Sequence, residues 1–246
     1  MIPVKKRAVI LIVFALFCLS ACGIEDFYYL PQVSEGWVTR NFNTDAEVRV
    51  PAGFLSNYYY ASGYVIFYRI YLSTIENGLS TNLSEINSTL FSHFRDLETY
   101  TDPTKTSSTV ETSTFRTRGY YELEIEGANI TDTVLSVNGG TFIIKFPTNP
   151  GEYPSISFNG NEYRLLRSTG GGAFAPVPSD RYFFNSMEIR DTANAISTVN
   201  ADVTAITGAD NAYVSMYIAA IGRHQRNFSR IYGKPAFISV FKMTNN

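Results

Sequence analysis

The stretch Gly63–Leu72 (Gly-Tyr-Val-Ile-Phe-Tyr-Arg-Ile-Tyr-Leu) constrains the fold of this chain more than any other part of it. It is a nearly continuous run of aromatic and β-branched residues carrying one charge. That composition marks a strand buried on both faces rather than one with a wet side.

Other segments read as strands by different patterns. Tyr121-Glu122-Leu123-Glu124-Ile125-Glu126 alternates, which puts Tyr121, Leu123 and Ile125 inward and three glutamates outward on one face. Thr141–Phe146 is halted by Pro147, which has no amide hydrogen to continue a ladder. Ser155–Arg167 reads as a hairpin about Asn159-Gly160, a pair that tolerates the positive φ of a type I′ turn. Arg181–Ile189, Tyr213–Ile221 and Pro235–Met243 complete the expected strands. One helix is expected: Leu83, Ile86, Leu90, Phe94 and Leu97 line a single helical face, and Asn82 followed by Glu85 has capping-box spacing. Thr104–Thr114, rich in Ser and Thr, and Gly170–Gly172 with Pro176 and Pro178 behind it, read as loops. The chain is thus expected to be mostly β with one amphipathic helix.

The first residues carry an address. Lys5, Lys6 and Arg7 precede an apolar run from Ala8 to Leu19, followed by Ser20, Ala21 and Cys22. A basic patch, a short apolar core and small residues before a cut are the parts of a secretory signal. As a helix, the apolar run would extend only about 18 Å, against a bilayer core of about 30 Å. Leu19-Ser20-Ala21-Cys22 resembles a bacterial lipobox. The resemblance implies that the Cys22 thiol takes a diacylglyceryl group, that the chain is cut before Cys22, and that acyl chains hold the body at a membrane. Residues 1–21 are then the signal peptide, 22–45 a lipidated N-terminal segment, and 46–246 a single sandwich-like domain with insertions. Cys18 is discarded and Cys22 becomes a thioether, so the body holds no disulfide and relies on packing. Removing 1–21 leaves 17 basic against 22 acidic side chains, net −5, which argues against a nucleic-acid partner.

The C-terminal forty residues resemble the end of an immunoglobulin or fibronectin type III-like sandwich. A turn-rich corner, Thr207–Ala212, leads to Tyr213 and the strand Val214–Ile221, and the edge strand Pro235–Phe241 follows a polar loop. A tyrosine so placed would hydrogen-bond back to the corner. By the same resemblance Gly63–Leu72 is the central strand of the opposite part of the fold, with the helix and the 155–167 hairpin as insertions or parts of an enlarged sheet. The whole chain is similar to envelope lipoproteins of spirochaetes, which implies an extracytoplasmic address in the cell envelope and no activity.

The residues offer little chemistry of the catalytic kind. There are two histidines, His93 and His224, and no H-E-x-x-H, G-x-S-x-G or G-x-x-x-x-G-K-[ST] motif, so neither an enzyme nor a cofactor is expected. Glu122, Glu124 and Glu126 could form an oxygen ladder for calcium, but a solvated face paired with Arg116 or Arg118 is the stronger reading.

Two clusters suggest binding. Between the last two strands, Gly222–Arg230 holds Arg223, His224, Arg226, Phe228 and Arg230, a concentrated basic patch suited to carboxylate, sulfate or phosphate groups. Its alternative is a solvated hairpin whose arginine stems cover the sheet edge. Trp37 and Tyr58-Tyr59-Tyr60, with Phe27–Tyr29, form the second, because adjacent aromatics on a strand cannot all face inward. They either stack on a protein or glycan partner or are covered by the 27–30 segment. The functional expectation is a membrane-anchored, non-catalytic binding or adhesion module, with an envelope assembly component as the alternative.

Overall fold

The computed structural model describes residues 30–41, 44–73, 110–111, 115, 119–126, 140–149, 152–167, 182–184, 202–205, 211–223 and 230–243. These residues are mostly β, in two sheets sharing one core. The expected helix, the Gly170–Gly172 loop and residues 1–29 lie outside them.

Strand β3, Ala61–Ser73, is the strand expected from the apolar run. It lies antiparallel to β12, Asn211–Arg223, in a register running from Ser73 opposite Asn211 to Ala61 opposite Gly222. This corrects the expectation that the run belongs opposite the C-terminal strands. Two long strands, each apolar on both faces, satisfy each other's backbone groups along their length and leave both faces free to be covered.

Alternation on this pair creates two cores. Tyr64, Ile66, Tyr68, Ile70 and Leu72, with Val214, Met216 and Ile218, join the core shared with the other sheet. Their neighbours Val65, Phe67, Tyr71, Tyr213, Tyr217 and Ile221 point the other way. They form a second cluster with Phe115, Tyr120, Tyr232 and Phe237. Phe67 and Phe115 stack at 3.9 Å, and Tyr232 stands edge-on to both.

On its other side β3 pairs with β5 (Tyr121–Glu122) and with β11 (Val203–Ala205). The β11 pairing is parallel, while the other pairings among the described strands are antiparallel. Asp202, just before β11, accepts the Ile70 amide through its carbonyl and anchors that pairing. On its other side β12 pairs with β13 (Arg230–Tyr232) and β14 (Ala236–Lys242), and β4 (Val110–Glu111) adds to β13. Val110 and Glu111 are therefore strand where a loop was expected. The Thr207–Ala212 corner lies largely outside the described residues, and Tyr213 itself is buried.

The first sheet runs β1 (Val38–Asn41), β2 (Asp45–Val50), β7 (Gly140–Lys145), β8 (Ser155–Phe158), β9 (Asn161–Arg167) and β10 (Tyr182–Phe183), with β6 (Glu124–Ile125) also on β9. All its pairings are antiparallel. The β8–β9 turn is as expected: Asn159 and Gly160 have φ of 51° and 77°.

Tyr121–Glu126 departs from the single strand expected. It breaks at buried Leu123, so Tyr121 and Glu122 pair with β3 in one sheet while Glu124 and Ile125 pair with β9 in the other. Leu123 and Ile125 do point into the shared core, but the glutamates do not form one ladder. Glu122 meets Arg230, and Glu126 meets Arg164 at 3.7 Å; Arg116 and Arg118 lie outside the described residues.

Three further contacts join the sheets. In β14 a bulge sets Ile238 and Ser239 against Met216, so Ala236 and Ile238 face the shared core before the bulge and Phe241 and Met243 face it afterwards. From β1, the Arg40 guanidinium donates to the carbonyls of Ile238 (2.7 Å) and Phe237 (2.8 Å) at that bulge. Deep in the core, Arg167 at the end of β9 donates twice to the Asp202 carboxylate, at 3.0 and 2.8 Å. The Tyr68 hydroxyl donates to the same carboxylate at 2.9 Å.

Candidate binding surface

The β3–β12 register decides where the two sequence clusters lie. Because Gly222 stands opposite Ala61, the last residues of β12 lie beside the turn that precedes β3. The Arg223 amide donates to the Tyr60 carbonyl at 3.1 Å. Gly222 is needed for this approach, since a Cβ there would sit 2.6 Å from the same carbonyl oxygen. Arg223 of the basic cluster therefore lies beside Tyr60 of the aromatic one at one end of the fold.

Residues 51–60 form successive turns, closed by amides of Phe54, Ser56, Tyr58 and Ala61 donating to carbonyls three residues back. This holds the aromatics in a fixed array. Trp37, the last residue of the 3-10 turn Glu35–Trp37 capped by the Ser34 hydroxyl, stands edge-on to Phe54 at 4.7 Å. Tyr60 stands edge-on to Tyr59 at 5.2 Å and to Tyr58 at 6.3 Å. Trp37, Phe54, Tyr58 and Tyr60 are half-buried against the shared core, while Tyr59 is 75% exposed. Phe54 was not singled out from the sequence. Its only signal was an apolar residue directly after Pro51-Ala52-Gly53.

The basic cluster is divided. Arg223 closes β12 and is exposed; Arg230 opens β13 opposite it, so both are strand residues rather than loop residues. His224, Arg226 and Phe228 lie outside the described residues, as does Cys22. Arg230 was expected to point at a ligand, but it turns onto the sheet and meets Glu122 at 2.6 Å. Tyr232 donates its hydroxyl to the other oxygen of that carboxylate. Burial alone would lower the Arg230 pKa, yet the neighbouring Glu122 charge and the Tyr232 contacts raise it above its ordinary value. Half-buried and paired, Arg230 secures β13 to β5, leaving Arg223 as the described arginine at the exposed rim.

Elsewhere, half-buried Glu47 is held below the usual carboxylate range by its hydrogen bond from exposed Arg49. No group of three His, Cys, Asp or Glu side chains among the described residues could hold a metal ion. No helix among them is long and apolar enough to cross a membrane. In comparisons with known proteins, no family model, no curated protein and no solved structure matches the chain.

Proposed function

We propose that this chain is a lipid-anchored lipoprotein of a bacterial envelope, acylated at Cys22, whose β body is a non-catalytic binding module. The observation that carries the binding part is the meeting of Trp37, Phe54, Tyr58, Tyr59 and Tyr60 with Arg223 at one end. Rigid amphipathic rings offer contact area at low entropic cost, and turns fixed by a β scaffold are where such surfaces are presented. The anchoring part rests on the Leu19–Cys22 motif and its flanks.

We also propose that the body is an immunoglobulin or fibronectin type III-like sandwich with additions. The neighbour orders β1-β2-β7 and β3-β12-β14 support this, because they follow the A-B-E and C-F-G orders of such sandwiches. The β8–β9–β10 run and the parallel β11 are then the additions.

Three measurements test the proposal. The mature N-terminus should carry a diacylglyceryl-modified Cys22, and Cys22→Ala should move the protein from the detergent phase to the aqueous phase. A photoactivatable phenylalanine analogue at Tyr59 of the full chain in cells should form a discrete adduct that the same probe at exposed Tyr153 does not. Unchanged partition of Cys22→Ala would refute the anchor; identical labelling from both positions would refute the binding surface.

A further inference from the structure

We infer that the partner of the aromatic end is the bilayer surface itself: Tyr59, with Trp37, Tyr58, Tyr60 and Arg223 around it, rests at headgroup depth on the membrane that holds the acyl chains. This deepens the binding reading above and rests on acylation at Cys22.

Leu30 is fully buried, and its carbonyl and that of Pro31 press against Gly233, where a Cβ would lie 3.3 and 2.6 Å from them. Gly233 in turn donates its amide to the Ala220 carbonyl at 2.8 Å. The chain from the anchor therefore joins the body beside Ala220. Cys22 and Leu30 are eight residues apart in sequence, which fully extended span no more than about 29 Å. From Ala220 along β12 it is about 10 Å to Arg223, where the aromatic turns lie, and about 30 Å to Asn211 at the opposite end. A tether this short, attached this far along the strand, brings the aromatic end to the bilayer first.

The chemistry of that end suits the interface. Tyrosine and tryptophan settle where an apolar ring meets lipid and a polar tip meets water. Arginine can lay its stem along apolar surface with its guanidinium among the headgroups. The body is net acidic, so bulk charge does not draw it to an anionic membrane; the contact depends on the rings and should survive salt.

Trp37 is the only tryptophan, so it reports this contact without labelling. The full acylated protein is placed in phosphatidylethanolamine–phosphatidylglycerol vesicles, with or without lipids carrying a nitroxide on the headgroup. The expected result is a loss of Trp37 emission to the nitroxide, persisting in high salt. Tyr59→Ser with Arg223→Ser should recover that emission while the protein still floats with the vesicles. Flotation with no loss of emission in the parent protein overturns this inference alone and leaves the anchor and a protein or glycan partner standing. Failure to float overturns the anchor, and the inference with it.

Discussion

Replacing Asp202 by alanine tests the reading of the core most severely. The Arg167 and Asp202 side chains are 1% and 4% exposed, and both carboxylate oxygens take guanidinium hydrogens. Removing the carboxylate takes two hydrogen-bond acceptors and the opposite charge from a buried guanidinium, which costs about 3–5 kcal/mol. It also takes the acceptor from the Tyr68 hydroxyl, and the overlapping losses together reach about 4–6 kcal/mol. Against a total stability of about 5–15 kcal/mol, that is a large share. With a urea dependence of about 2 kcal/mol per molar, the unfolding midpoint should fall by about 2–3 M. Asp202→Asn keeps one acceptor without the charge and should lose about half as much. The triple variant Arg167→Met, Asp202→Leu, Tyr68→Phe replaces all three members of this contact by apolar side chains of similar size and should recover most of the loss. The reasoning is refuted if Asp202→Ala loses less than about 1 kcal/mol, or if the triple variant is as weak as the single one.

Other perturbations give distinct signatures. Arg40→Met keeps the stem but drops both carbonyl contacts at the bulge, so unfolding should require about 1.5–3 kcal/mol less, and amide exchange should rise first in β14. The Tyr64 hydroxyl is buried with no hydrogen-bond partner among the described residues, and burial raises its pKa above the ordinary tyrosine value. A folded-state pKa raised above the unfolded one gives stability that is complete below about pH 10 and lost as pH rises further. In pH-resolved denaturation, Tyr64→Phe should therefore gain on the parent by about 1.4 kcal/mol per pH unit above 10. Gly222→Ala drives a Cβ into the Tyr60 carbonyl and should destabilise by about 1–3 kcal/mol. Trp37 fluorescence should change with it if the turns around Tyr58–Tyr60 move together.

Legibility from sequence divides by the range of the interactions. The β3 strand, the β8–β9 hairpin and the two C-terminal strands were readable because composition, alternation and an Asn-Gly turn act within a few residues. The break at Leu123 was not readable, because alternation looks the same whether a strand stays in one sheet or crosses to the next. The shift of faces within β14 was hidden likewise, since Ser239 carries no mark that distinguishes a bulge from an ordinary strand position. Arg167 with Asp202, and Arg40 with the β14 carbonyls, join residues 35 and nearly 200 positions apart, and no local pattern announces such partners. Each half of the candidate surface stood out as adjacent aromatics or clustered arginines. That Arg223 sits beside the aromatic turn follows only from Ala61 lying opposite Gly222, a consequence of register.

The Arg40 contact bears on how the molecule would carry mechanical load. A pull from the N-terminal side passes through buried Leu30 and Pro31 against Gly233 and then loads β1, a short strand at the margin of the described part of its sheet that could unzip one rung at a time. Arg40 fastens that strand to β14, near the other terminus, so part of the force passes directly into the opposite layer. The two extremities of the polypeptide then bear strain jointly, and tearing the body open would require shearing the layers apart rather than peeling off its first ribbon.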